Sequence, residues 1–181
     1  MPNPATYDEV ATLKNGLEVR IRAMRSSDRD LVLEMFRNLE PESIYTRFFH
    51  TKKILTEDDL KMITEVDFDN VVALAVTIGP EGNETMIAGG RYACLGTEGE
   101  RREAEVAFTV EEDYHGQGIA SMLLQRLIPI ARERGVDQFM AEVLDQNSAM
   151  RAVFSRCGLP MQQKRQSGAV HVMMALTGDG T

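Results

Sequence analysis

Residues 104–131 leave few architectures open. Ala104, Val106, Phe108 and Val110 alternate with Glu105, Ala107 and Thr109, the period of a strand whose second face is small and carries one carboxylate. From Ile119 the period changes. Ile119, Leu123, Leu127, Ile130 and Ala131 recur at helical spacing, and Met122, Leu124 and Ile128 widen the stripe. Gly116 and Gly118 stand at the helix entrance, where the first backbone amides have no partner within the helix. Glycines there let a ligand approach the backbone. Free amides and the positive end of the helix dipole together form an anion site, most often for phosphate. A Gly-x-Gly before a helix fits a plain tight turn equally well, so the longer pattern decides.

That pattern, His115-Gly116-Gln117-Gly118-Ile119-Ala120, resembles the acetyl-CoA pyrophosphate loop of the GNAT N-acetyltransferase superfamily. The family loop reads Gln or Arg, two residues, Gly, one residue, then Gly or Ala. Gly118 and Ala120 hold the later places, and His115 departs from the first. No Gly-Lys-Ser/Thr follows, as a P-loop requires, and the three spaced small residues of a dinucleotide fingerprint are missing. Residues 147–159 resemble the family's Asn-led helix ending in Gly-Phe, with Asn147 and Gly158 in place and Leu159 replacing the Phe. Upstream, Pro41-Glu42-Ser43-Ile44-Tyr45-Thr46-Arg47-Phe48-Phe49, then Leu55-Thr56 and Asp67, resembles a narrower group, the bacterial Pat-type protein-lysine acetyltransferases. It also resembles the GNAT domains fused to ADP-forming acyl-CoA synthetase-like proteins. The resemblance covers residues 12–160. A chain of 181 residues leaves no room for the cyclic-nucleotide domain of some Pat relatives, so that regulation is not expected.

Elsewhere, periodicity and punctuation set the elements. Asn15-Gly16 between strand-like flanks predicts a hairpin with a type I′ turn. Ser27 with Asp30, and Thr56 with Asp59, read as capping boxes opening helices. The first of these helices carries Leu31, Val32, Met35, Phe36 and Leu39 and stops at Pro41; a short helix is expected over 43–49. Strands are expected over 70–78, 85–95, 138–144 and 169–176, with 160–168 a loop. Pro129 should kink the long helix and Gly135 should end it. Asn147 should cap the next. The expected fold is α+β, a mixed, mostly antiparallel central sheet flanked by helices. One domain should span 1–181, with loose ends at about 1–8 and 178–181. The GNAT resemblance implies further that the sheet splays between 103–110 and 138–144, with acyl-CoA in the opening.

Composition narrows the partners. A net charge of −8 and a pI near 5.0 argue against a general nucleic-acid binder. Positive potential for a CoA must then be local, from backbone amides and a few Arg or Lys. Cys94 and Cys157 suit two reduced thiols better than a disulfide framework. Three His and two distant Cys offer no metal-ligand spacing, so no metal is expected. The start lacks a basic and apolar leader, and no apolar run approaches membrane-spanning length. A cytoplasmic protein with neither membrane nor nucleic acid as partner is expected.

The resemblance implies the chemistry. N-acetylation needs a neutral amine, and a free lysine has a pKa of about 10.4. A carboxylate near the acceptor can take the proton directly or through a water. Glu105 matches the general-base glutamate of Pat-type enzymes; Glu103, on the same face but farther from the loop, is the fallback. Phe108 and Val110 would offer backbone groups to the pantetheine amides. His115, Gly116, Gln117, Gly118, Ile119, Ala120 and Ser121 would hold the pyrophosphate, mainly by backbone amides, and Asn147 would lie beside the pantetheine arm. Many GNATs place an acidic tyrosine seven residues after that Asn; here the residue is Phe154. A thiol pKa of about 8.5 makes the acid optional, with Tyr45, Tyr92 and Tyr114 as unranked alternatives. The leading expectation is acetyl transfer from acetyl-CoA to a primary amine, first a protein lysine, with an acyl-CoA synthetase one candidate partner. The alternatives are a small-molecule amine acetyltransferase and a non-catalytic acyl-CoA-binding sensor.

Overall fold

A computed structural model describes residues 4–38, 56–95, 102–145 and 147–176. In chain order these form β1 (Asp8–Thr12), β2 (Glu18–Ala23), α1 (Arg29–Arg37), α2 (Glu57–Thr64), β3 (Val71–Ile78), β4 (Thr85–Cys94) and β5 (Glu103–Val110). Then come α3 (Ile119–Glu133), β6 (Gln138–Leu144), α4 (Ser148–Ser155), β7 (Met161–Gln166) and β8 (Ala169–Ala175). The strands join in one sheet of order β1-β2-β3-β4-β5-β6-β8-β7. Only the β5–β6 pair is parallel among the described residues; the others are antiparallel. This is the expected mixed α+β layout.

Strand alternation sorts side chains onto two covered faces. β3 is apolar but for Thr77 because both its faces are buried. Val72, Leu74 and Val76 join Tyr92, Val106, Leu123, Leu124, Leu127 and Phe154 under α3 and α4. Ala73, Ala75 and Met86 meet Val32, Met35, Phe36 and Leu60 of α1 and α2 on the other face. α3 runs on past Pro129 and is followed by Gly135 at φ +77°, the expected left-handed stop. Thr56 and Asp59 form the expected capping box, with reciprocal bonds of 2.9 and 3.1 Å. No helix among the described residues is long and apolar enough to cross a membrane.

Several local expectations fail for physical reasons. The first hairpin is not closed by a two-residue type I′ turn. Leu13 N–H donates to the Leu17 carbonyl at 2.8 Å, leaving Lys14-Asn15-Gly16 as a three-residue loop in which only Gly16 has positive φ. The box at Ser27 and Asp30 is replaced by Asp28, whose Oδ2 accepts the Arg25 N–H at 2.7 Å. Asp28 is drawn inward by the fully buried Arg22, which it meets in two 2.8 Å bonds, and α1 starts only at Arg29. Residues 161–166 form an edge strand, not a loop, turned by Ser167 and Gly168 at positive φ. The start is shorter as a tail than expected: Pro4–Thr6 is a 3-10 turn, and Ala23 N–H donates to the Tyr7 carbonyl. The helix expected over 43–49 and the tail at 178–181 lie outside the described residues.

Candidate active site

The parallel pair β5–β6 is short. Glu103, Ala104 and Glu105 pair with Gln138, Phe139 and Met140, and the ladder ends there. β4 keeps hold of β5 as far as Val110, while β8 keeps hold of β6 as far as Leu144, so the two strands part. The expected splay is present. It opens a shallow cleft continuous with solvent. Val106, Ala107 and Phe108 form one wall, Ala141, Glu142 and Val143 the other, with Met150 and Phe154 of α4 also lining it. Strand edges without a neighbouring strand need hydrogen-bond partners, which suits an extended ligand that carries its own amides.

The Phe108 wall depends on Gly90. These residues face each other across the β4–β5 ladder, and a Cβ on Gly90 would sit 2.8 Å from Phe108 Cδ1 and 3.3 Å from Leu123 Cβ. Phe108 occupies the space that a side chain there would take. On its other side it meets the buried Phe154, ring centroids 6.2 Å apart. Phe154 is thus a packing residue of the cleft, with no proton to give.

Glu105 occupies the last paired rung before the fork and is exposed. Alternation turns it to the face opposite Val106 and Phe108, the face shared with Arg91, α1 and α2. Burial pulls the Arg91 guanidinium pKa down, and the nearby Glu105 charge opposes that shift. Arg91 also donates to the Met62 carbonyl of α2 at 3.3 Å. Glu103 lies two rungs farther from the fork and accepts a 3.0 Å bond from Gln138 Nε2. Tyr92 points to the buried face, where its hydroxyl has no partner among the described residues and burial drives its pKa up. A substrate cannot reach it. Tyr114 is half-buried, and burial followed by the carboxylates of Glu111 and Asp113 raises its pKa. Tyr45 lies outside the described residues.

The glycine turn leads into α3 at the mouth of the cleft. Gly116 and Gly118 have φ of +80° and +83°, and a Cβ on Gly116 would meet nothing within 4 Å. The side chains around them are committed to the protein. His115 Nε2 lies 2.8 Å from the Val110 carbonyl. A carbonyl only accepts, so Nε2 carries the proton and the imidazole ties the loop to the end of β5. Gln117 Oε1 accepts the Asn15 N–H of the first hairpin at 3.0 Å. The amides at the start of α3, from Ile119 through Ser121, have no carbonyl one turn back within the helix. Asn147 caps α4 as expected, its Oδ1 accepting the Met150 N–H at 3.2 Å. Among the described residues no three His, Cys, Asp or Glu side chains gather as a metal site needs.

Four residues of this region carry no signal in the sequence. Gly90 and Glu142 look like ordinary strand residues, Met150 like helix core, and Lys14 like a turn cation. Only register and packing bring them to the cleft and the loop.

A sheet forked between two parallel strands, with a glycine turn and a long helix at the mouth of the fork, is the architecture of GNAT acetyltransferases. The model of the acetyltransferase (GNAT) domain family matches residues 18–160, and the chain belongs to that family. It is 28% identical over 154 residues to an acetyltransferase of Pseudomonas aeruginosa, covering 85% of this chain and 81% of that protein. It is 39% identical over 117 residues to the acetyltransferase Pat of Mycolicibacterium smegmatis, covering 65% of this chain but 34% of that longer protein. The crystal structure of the GNAT domain of S. lividans PAT superposes with a TM-score of 0.83 at 33% identity, covering 93% and 96% of the two chains.

Proposed function

We propose that this acetyltransferase moves the acetyl group of acetyl-CoA to a protein lysine side chain, with Glu105 as general base. The observation that carries the proposal is the position of Glu105, an exposed carboxylate on the last rung before the cleft opens. The fit to acetyl-CoA rests on the cleft, whose parted strand edges suit pantetheine amides, and on the open backbone at Gly116. Phe108 and Val110 would face the pantetheine, residues 115–121 the pyrophosphate, and Asn147 the arm between. The thioester supplies an activated acyl group and a thiolate leaving group. Glu105 accepts the proton of the incoming ammonium, directly or through a water, so that a neutral amine attacks. Phe154 donates nothing and Tyr92 is sealed in the core, so neither protonates the thiolate; the proton that the amine nitrogen loses on forming the amide balances it, passed through solvent.

A lysine acceptor is supported by the likeness to two Pat proteins and by the Pat-like stretch over 41–49. An acyl-CoA synthetase is one candidate carrier of that lysine. Two free cysteines fit a reducing cytoplasm. The test measures CoA release from acetyl-CoA with a lysine-rich protein pool and with a panel of small amines, for wild type and Glu105→Gln. Release with proteins alone, abolished in the variant, supports the proposal. Release with a small amine alone moves the acceptor to a metabolite. Tight acetyl-CoA binding without release from any acceptor makes the protein an acyl-CoA sensor.

A further inference from the structure

We propose that Lys14, at the tip of the β1–β2 hairpin, binds the pyrophosphate held by loop 115–121, supplying from outside the loop the cation that its first position lacks. The proposal rests on the reading of that loop as the phosphate site of acetyl-CoA. Lys14 and Gly118 are far apart in the chain but adjacent in space. The position a Cβ would take on Gly118 is 3.3 Å from Lys14 Cε and 3.9 Å from its Nζ. The aliphatic stem therefore lies over the residue that starts α3, with the ammonium at the same anion-seeking helix end.

The hairpin is held there at two points. Asn15, next to Lys14, donates its backbone N–H to Gln117 Oε1 at 3.0 Å. On the β1 arm, Glu9 accepts from Arg126 of α3, through Nη2 at 2.6 Å and Nε at 3.3 Å. One turn-tip residue and one strand residue thus fix the hairpin, the first to the turn before α3 and the second to the middle of the helix. The three-residue loop, Lys14-Asn15-Gly16, puts the exposed lysine at its tip.

Charge makes this placement informative. Lys14 has no carboxylate partner among the described residues. A lysine at a helix N-terminus, unpaired, opposes the positive end of the dipole, and an anion between them removes the conflict. The other basic groups nearby are committed: His115 to the Val110 carbonyl and Arg126 to Glu9. The family loop begins with Gln or Arg, whereas here His115 serves as a clamp. Glu111, Glu112 and Asp113 just before it make the local sequence acidic. Lys14 restores a positive group beside the amides.

The test compares the affinities of acetyl-CoA, acetyl-dephospho-CoA and acetyl-pantetheine for wild type, Lys14→Gln and Lys14→Arg by calorimetry, with NMR titration for the weakest ligand. Lys14 is exposed, so neither substitution disturbs the core. Lys14→Gln should weaken acetyl-CoA and acetyl-dephospho-CoA about tenfold each and leave acetyl-pantetheine unchanged, as loss of one solvent-exposed charged contact implies. Lys14→Arg should recover most of the affinity, and the Lys14→Gln deficit should shrink with added salt. Equal loss for acetyl-pantetheine, no loss for any ligand, or loss confined to acetyl-CoA would each overturn the proposal, the last by assigning Lys14 to the ribose 3′-phosphate. A wild type that binds acetyl-pantetheine as tightly as acetyl-CoA removes the phosphate-loop reading itself, and the Lys14 proposal with it.

Discussion

Replacing Gly90 by Ala tests whether the cleft wall is set by a missing side chain. Gly90 does not need its conformational freedom here, since its φ is not positive; what matters is space. The new methyl would sit 2.8 Å from Phe108 Cδ1, 3.0 Å from Cε1 and 3.3 Å from Leu123 Cβ. Carbon atoms pack best at about 3.5–4.0 Å, so the ring must retreat by about 0.7–1.2 Å. Leu123 is fully buried beneath it, and the yielding direction is into the cleft, towards Phe154. Overpacking of this kind costs about 1–3 kcal/mol. In a domain of this size that lowers the melting temperature by about 2–12 °C. Acetyl-CoA affinity should fall in parallel if the cleft holds the pantetheine as proposed, because the displaced ring narrows it. Thermal unfolding of Gly90→Ala, Phe108→Leu and the double variant checks the mechanism. Most of the Gly90→Ala cost should vanish in the Phe108→Leu background, a coupling of about 1 kcal/mol or more. Equal costs in both backgrounds would refute the argument that Phe108 takes its place from the glycine.

Glu105→Gln should lower kcat/KM about 10²–10⁴-fold with acetyl-CoA affinity unchanged, as steady-state kinetics beside calorimetry would check. Among the described residues, Asp28→Ala leaves the buried Arg22 guanidinium with only Glu84 at 3.3 Å as a counter-charge, so urea denaturation should report a loss of about 3–5 kcal/mol. The Asp67 carboxylate accepts the backbone N–H groups of Asp69, Asn70 and Val71, the Asp69 bond being the first cause of its depressed pKa. A depressed carboxyl contributes its stability above the ordinary carboxylate range and loses it as pH falls through the lower native value. The melting-temperature deficit of Asp67→Ala should accordingly be constant above about pH 5 and shrink towards zero in stronger acid; a deficit unchanged in acid would exclude the charge as its source.

Local signals made much of this protein legible. Alternation marked 103–110 and 138–144 to the residue, because a half-buried strand must repeat every two positions. Thr56 and Asn147 announced helix starts, because their side-chain oxygens satisfy amides only three residues away. Gly116, Gly118 and Ile119 marked the turn into α3 for the same local reason. What such signals miss is set by partners distant in the chain. The β7 segment, Met161–Gln166, is polar because an edge strand needs no second apolar face, so it read as a loop until β8 paired with it. Asp28 displaced the expected cap because Arg22, buried on β2, required its carboxylate. The approach of Lys14 to Gly118, and of Gly90 to Phe108, depends on strand register and helix docking, which no window of sequence contains. The sequence by itself determined most of the elements and the glycine turn before α3, since those depend on neighbours three or four residues apart. Only the tertiary structure decided where the sheet forks and which side chains meet there, since the paired rungs are counted between strands more than thirty residues apart.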